Sequence, residues 1–106
     1  MTSHWRRGRL LRLFGFDYRI EVFAAVPARA RVLRAALHLD DELVARLDLK
    51  ADRRASVLRV AAAHVEPGAD RIEVAAAAAV ELDAMRSWLG LDDVAIAPRG
   101  DLAPAL

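Results

Sequence analysis

The chain has 106 residues, of which 56% are hydrophobic and 29% charged, and it contains no cysteine. This composition indicates one small domain with a single core, residues 1–106, and excludes disulfide, zinc-thiolate and thiol redox chemistry. The longest apolar run, residues 74–80, is far shorter than a membrane span of ~20 residues. Because no signal-peptide pattern follows the N-terminal arginines, we expect a cytoplasmic protein with no membrane partner.

The net charge of +1 is unevenly distributed along the chain. Residues 1–34 carry eight arginines and two acidic residues, a balance of +6, whereas residues 35–106 carry eight basic and thirteen acidic residues, a balance of −5. High genomic GC content would explain a preference for arginine over lysine, but it does not explain this clustering. The first third is therefore a candidate basic patch. Its arginines are Arg6, Arg7, Arg9, Arg12, Arg19, Arg29, Arg31 and Arg34.

The first element is ambiguous and the second is a strand. The segment RRGRLLRLFGF, residues 6–16, favours either one helical turn or an irregular basic arm that ends at Gly15. The next segment, DYRIEVF, alternates apolar and polar residues with the period of a half-buried strand. It places Tyr18, Ile20 and Val22 on the inward face. We expect the phenylalanines before it, Phe14 and Phe16, to dock the entering chain on the core.

The middle of the chain predicts further strands. Pro27 lacks an amide donor and indicates a hairpin tip or an edge, and the following RVLRAALHL favours helix and strand equally. ELVARLDLK and SVLRVAAAHV have strand character and are separated by a turn, ADRRA. In the first of these, one face is expected to consist of Leu43, Ala45, Leu47 and Leu49.

The segment 71–89 predicts a long helix. Asp70 and Glu73 fit a capping box, and Gly90 stops the apolar pattern. The expected inward stripe consists of Ile72, Ala76, Ala79, Leu82, Met85 and Leu89. A short final strand, DDVAIAP, follows. These elements predict an α+β fold, an antiparallel sheet of three to five strands with this helix packed on one face.

Spacing of the residues supports no enzyme. His4, His38 and His64 are isolated from one another and from suitable carboxylates, so each is expected to be a surface or sheet-edge histidine and no metal site is predicted. The acidic pairs in residues 40–42 and 92–93 are typical of solvated turns. Without a phosphate-binding loop or a nucleophile motif, we predict no catalytic residue and no cofactor.

A resemblance to a known family supplies a function. Residues 5–21 read W-x-R-x-R-x-x-R-L-F-G-F-D-Y-R-I-E and resemble a segment near the C-terminal end of the winged-helix DNA glycosylases of the YcaQ-like family. Blocks at 43–69, 88–94 and 99–106 resemble later parts of that family in the same order. The resemblance implies repair of alkylated or crosslinked DNA by hydrolysis of a glycosidic bond, although it does not indicate which lesion is accepted.

Two departures from the family pattern limit that implication. The resemblance implies tandem winged-helix units upstream and a catalytic motif of Gln-x-Gln or Gln-x-Asp, but this chain contains no glutamine and is expected to lack glycosylase activity by itself. Where the family has a tyrosine-rich block, the chain reads VPARARVLRAALHL. A truncated gene copy with a local frame change is one hypothesis for both departures.

Two functional hypotheses follow. In the first, the arginines bind phosphates of double-stranded DNA and the protein is nucleoid-associated. In the second, the chain is a non-catalytic scaffold that self-associates, or associates with winged-helix domains, through an exposed apolar face.

Overall fold

The computed structural model of the protein describes residues 9–13, 15–24 and 32–106. Within these residues, six strands form one sheet, and a 19-residue helix lies between the fifth and the sixth. The elements are β1 (Arg9–Leu13), β2 (Phe16–Ala24), β3 (Val32–Leu39), β4 (Glu42–Asp52), β5 (Val57–Val65), α1 (Arg71–Leu89), β6 (Asp93–Ile96) and a final 3-10 turn (Ala103–Ala105). No helix in the described part is long and apolar enough to cross a membrane.

The strands lie side by side in chain order. β1 to β5 form an antiparallel meander, whereas β6 pairs with β5 in parallel. The predicted α+β class and the long helix on one face are confirmed. The sheet has six strands rather than three to five, and its last pair is parallel because α1 carries the chain back along the sheet before β6 begins.

The start of the chain corrects the expectation of a helical turn or irregular arm. β1 is a strand that pairs with β2, and two residues separate the paired Leu13 and Phe16. Gly15 has a φ of 80°, a left-handed conformation that favours glycine and closes this tight turn. Phe16 is exposed rather than docked on the core, because it lies at the turn, one row beyond the buried Tyr18.

Three other expectations about the strands have clear outcomes. Tyr18, Ile20 and Val22 are buried, as the alternation in β2 predicts. The ambiguous segment before residue 40 is the strand β3. The predicted hairpin tip at Pro27 and the docking of Phe14 lie outside the described residues.

A β-bulge shifts the alternation in β4. The partners along β3 move from Ala45 to Leu43 as the ladder reaches His38, so Val44 is an extra residue in β4. Val44 is buried, whereas Leu43 is 39% exposed. The expectation that Leu43 shares a face with Ala45 is therefore wrong, because the bulge reverses the direction of side chains beyond it.

A second bulge changes β5. Ala61 is the extra residue between the paired Val60 and Ala62. Val60 and Ala63 are both buried, and His64 is exposed. Strict alternation from Val60 would turn His64 toward the helix layer, so the bulge is what places this histidine on the opposite side of the sheet.

The ends of α1 agree with the predicted capping signals. The side chain of Asp70 accepts hydrogen bonds from the backbone N–H groups of Ile72 (3.1 Å) and Glu73 (3.2 Å). These bonds satisfy two donors that have no partner inside the helix. Gly90 ends α1 with a φ of 76°.

The side of α1 that packs on the sheet differs from the predicted stripe. Leu82 and Met85 are buried as expected, but Ile72 and Ala79 are exposed. The helix is apolar around much of its circumference, so the spacing alone did not decide which side faces the sheet. The buried residues of α1 are Val74, Ala75, Ala77, Ala78, Glu81, Leu82 and Met85.

After β6 the chain passes close to the backbone of β5. The N–H of Ala63 donates to the carbonyl of Arg99 (3.0 Å), and the N–H of Leu102 donates to the carbonyl of Ala63 (3.1 Å). Gly100 lies between these bonds with a φ of 92°, and a Cβ there would collide with the backbone oxygen of Ala63. Only glycine permits this close approach.

Candidate nucleic-acid interface

The sheet has one face covered by α1 and one face that α1 does not cover, which we call the open face. Strand alternation and the two bulges determine which side chains lie there. None of these residues is buried. The open face includes Arg19, Glu21, Arg34, Ala36, His38, Leu43, Arg46, Asp48, Lys50, Arg59, Ala62 and His64.

Cross-strand pairing brings basic residues of distant parts of the chain together. Arg46 lies between Ala36 of β3 and His64 of β5. Lys50 pairs directly with Arg59 in the neighbouring strand. Directly opposed residues in a sheet have Cβ atoms about 4.5–5.5 Å apart, so the pairing brings basic residues from separate segments onto one surface.

Each of the four arginines of the open face has an acidic neighbour, and Arg19 and Arg59 pair with Asp41 and Asp52. The Nε atom of Arg34 is 3.8 Å from a carboxylate oxygen of Asp48, and the Nε of Arg46 is 3.0 Å from Glu66. The side chains of Arg34 and Arg46 remain 73% and 64% exposed. Exposed pairs of this kind contribute about 0–1 kcal/mol, so an incoming anion can replace the acidic partner at little cost.

A shallow groove crosses the open face. It has a volume of about 430 Å³, and its lining includes Arg34, Arg46, His64 and Asp48 around the small Ala36. Two guanidinium groups beside a depression suit a phosphate, because each offers several N–H donors in a planar fork. The described part of the chain holds no group of His, Asp and Glu residues able to bind a metal ion.

Among the described residues, Asp52 and Tyr18 have shifted pKa values, and they lie on opposite sides of the sheet. A hydrogen bond from Arg59 of the open face, joined by one from the Ala55 N–H, lowers the pKa of Asp52. On the covered face, burial raises the pKa of Tyr18, and the negative charge of Glu73 adds to this effect. Neither shift indicates acid–base catalysis. Asp52 accepts hydrogen bonds from Arg59 and from the Ala55 N–H, and Tyr18 is buried in the core.

The predicted phosphate-binding arginines have different outcomes. Arg19 and Arg34 lie on the open face. Arg9 and Arg12 lie in β1, where their backbone pairs with Ile20 and Asp17 of β2. The remaining four predictions fall outside the described residues. They concern Arg6, Arg7, Arg29 and Arg31.

Sequence reasoning missed three basic residues of this surface, Arg46, Lys50 and Arg59. They belong to the part of the chain with a net negative charge and therefore did not stand out. Their signal was the alternation in the segments that became β4 and β5, which places basic residues between apolar ones. A search for basic residues clustered along the sequence thus finds fewer residues of this surface than strand pairing brings together.

The described histidines agree with their predicted surface positions. His38 is half-buried and pairs with Arg19, and His64 is exposed and pairs with Arg46. His4 lies outside the described residues. The acidic turn residues Asp40, Asp92 and others of their segments are exposed, as expected for solvated turns.

The fold and this surface define a small α+β protein whose sheet carries aliphatic residues on one face and clustered basic residues on the other. The family described as DNA glycosylase AlkZ-like matches residues 4–88, which is most of the chain. The chain therefore belongs to the AlkZ-like DNA glycosylase family, a family of DNA-repair proteins. No curated protein and no solved structure matches it.

Proposed function

We propose that this chain is a DNA-contacting module of a DNA-repair glycosylase, and that its open face binds the phosphates of double-stranded DNA. The observation that carries the proposal is the cross-strand clustering of exposed basic residues, above all Arg34 and Arg46 beside the groove. The core does not require charged residues on this face. Membership in a DNA glycosylase family makes duplex DNA the fitting anion.

Such a surface acts by electrostatics. Each phosphate neutralised by an arginine releases condensed counterions, which favours binding and makes the affinity depend strongly on salt. Phosphate contacts position the duplex and carry no direct information about base sequence. The open face would thus hold DNA in place for a reaction on one of its bases.

We assign these 106 residues to holding DNA rather than to breaking the glycosidic bond. They contain no glutamine, so they do not supply the glutamine motif that the family resemblance implies. The expected contribution of the chain is therefore affinity for DNA, without base excision by these residues alone.

Titration of a fluorescent duplex of ~20 base pairs between 50 and 200 mM salt tests this proposal. The unmodified chain should lose affinity steeply as salt rises. The double variant Arg34→Ala with Arg46→Ala should bind more weakly, and the slope of log affinity against log salt should fall by about 2, roughly one for each lost phosphate contact.

The matched control is Arg71→Ala, which removes an exposed arginine from α1, on the other side of the sheet. Its affinity and salt slope should equal those of the unmodified chain. Absent or salt-insensitive binding by the unmodified chain would contradict the proposal and favour the alternative, a scaffold that does not bind DNA. Equal losses in the control and the double variant would show that the contact is not specific to the open face.

A further inference from the structure

A pocket of about 350 Å³ opens beside the first turn of α1. It lies between this turn, the 66–70 loop and the turn that joins β3 to β4. Among the described residues, four carboxylates and one hydroxyl are the polar side-chain groups of its lining, and we call it the acidic pocket. These groups belong to Tyr18, Glu42, Glu66, Asp70 and Glu73. Leu39, Val44 and Val74 add apolar surface.

Tyr18 reaches this pocket from the core. It is 1% exposed, and burial raises the pKa of its hydroxyl. The negative charges of Glu73 and Asp70 add to this rise, which places the hydroxyl near the rim that these residues form. Within the described part of the chain, the hydroxyl has no hydrogen-bond partner. Because an unpartnered buried hydroxyl is costly, a ligand that bonded to it would gain free energy.

The carboxylates of the acidic pocket are only partly compensated. Glu66 lies 3.0 Å from the Nε of Arg46, and Asp70 caps α1. For Glu42 and Glu73, the described residues provide no ion pair. Even if both Arg46 and the arginine that begins α1 are counted, two of the four negative charges remain.

The polar groups of the acidic pocket select a ligand with positive charge and several hydrogen-bond donors. Ionised carboxylates only accept hydrogen bonds, and a tyrosine hydroxyl accepts them as well. A metal ion does not fit, because the described residues include no group of His, Asp and Glu able to hold one. An ammonium group is compact and strongly hydrated, whereas a guanidinium group is planar, weakly hydrated and offers five N–H donors in a fork. Acceptors separated by apolar surface therefore fit a guanidinium group best.

The same charges favour an arginine within a polypeptide over free arginine. The carboxylates of the rim would repel the carboxylate of free arginine, whereas the peptide groups of a chain are neutral. The methylene stem of an arginine side chain can lie along apolar surface such as that of Leu39 and Val44.

We infer that the acidic pocket binds the guanidinium group of an arginine in a partner polypeptide, with the Tyr18 hydroxyl and the Glu42 and Glu73 carboxylates accepting its N–H groups. None of these three acceptors belongs to the open face. The inference therefore does not depend on DNA binding.

Titration with N-acetylarginine methylamide, followed by the NMR shifts of the backbone amides, tests this inference. Saturable shifts are expected at millimolar probe concentration in the 66–70 loop and the first turn of α1. N-acetylcitrulline methylamide, a neutral probe of the same shape, should not bind, and free arginine and N-acetyllysine methylamide should bind more weakly. Shifts that are absent, that do not saturate, or that are equal for the arginine probe and any of the other three would overturn the inference.

Isosteric substitutions locate the site. Tyr18→Phe, and the double variant Glu42→Gln with Glu73→Gln, should each raise the dissociation constant of the arginine probe about tenfold, because each removes a hydrogen bond to a charged group. The matched control is Asp92→Asn with Asp93→Asn, which removes two exposed charges beyond the other end of α1 and should leave the constant unchanged. Circular dichroism should show that the variants remain folded. Equal losses in the control would reduce the binding to net charge and overturn the inference.

Ionisation of Tyr18 gives a separate readout. A guanidinium group stays charged at the pH at which tyrosine ionises, so the bound probe should oppose the charges of Glu73 and Asp70 and lower the pKa of Tyr18. Tyrosinate absorbance should show this fall with the arginine probe and no change with the citrulline probe. An unchanged pKa at saturating arginine probe would place the probe away from Tyr18 and would also overturn the inference.

Discussion

The two faces of the sheet are made by the same strands but have different chemistry. The covered face carries buried aliphatic residues such as Leu37, Leu47 and Leu58. The open face carries Arg34 and Arg46, both well over half exposed. Because successive side chains of a strand point to opposite sides, one face can supply the core while the other remains free for charge. The comparison predicts that substitutions on the covered face change stability and that substitutions on the open face change binding.

The largest effect is expected on the covered face. Leu47→Ala should lower the free energy of unfolding by about 2–5 kcal/mol, because it removes buried methyl groups and leaves a cavity. The matched control is Leu43→Ala, since Leu43 lies in the same strand but is exposed beyond the bulge. Urea unfolding of both variants measures the difference. Equal losses would break the distinction between the faces.

The next effect concerns the edge of the sheet. Gly100→Ala should lower the free energy of unfolding by about 1–3 kcal/mol, because the added Cβ meets the backbone oxygen of Ala63 and the residue has a positive φ. Gly68→Ala is a suitable control, because a Cβ at Gly68 has space although its φ is also positive. A smaller loss in the control would show that the close approach, beyond the φ angle alone, requires glycine.

At high pH, the ionisation of Tyr18 on the covered face should lower the stability of the protein. Because the folded-state pKa of Tyr18 lies above its ordinary value of 10.0, the stabilisation is complete below pH 10 and is lost as pH rises through the folded-state pKa. Tyr18 is the single tyrosine, so tyrosinate absorbance reports its ionisation directly. Thermal unfolding against pH should show a steeper decline above pH 10 for the unmodified chain than for Tyr18→Phe.

The open face should contribute little to stability. The double variant Arg34→Ala with Arg46→Ala should change the free energy of unfolding by less than about 1 kcal/mol, because both ion pairs are exposed. Urea unfolding of the variant used for DNA titration provides the measurement. A large loss of stability would assign these arginines to the fold and weaken their assignment to DNA.

The smallest effect is expected at low pH. The hydrogen bond from Arg59 lowers the pKa of Asp52 below its ordinary value of 3.8, so its stabilisation is present above pH 3.8 and is lost as pH falls through the folded-state pKa. Melting temperatures measured at acidic pH should show this loss in the unmodified chain and a weaker one in Arg59→Ala. Identical acid profiles would contradict the role of Arg59.

The helix and the second strand show how much could be predicted locally. Their signals are contained in short segments: Asp70 and Gly90 bound α1, and strict alternation places Tyr18 and Ile20 inward. β1 was not predicted, because its residues form a strand through pairing with β2 and have no strong preference of their own. Three of the five arginine and lysine residues of the open face were missed for a related reason, since Arg46, Lys50 and Arg59 join it only across strands.

The sequence by itself determined the α+β class, the bounds of α1, the inward face of β2 and the resemblance that the family match confirms. Only the tertiary structure decided which side of α1 packs on the sheet, where the bulges at Val44 and Ala61 fall, and which basic residues share a face. The physical reason is the distance along the chain over which each interaction acts. Caps and alternation depend on neighbours within a few residues, whereas register and helix orientation depend on how all the apolar surfaces are buried together.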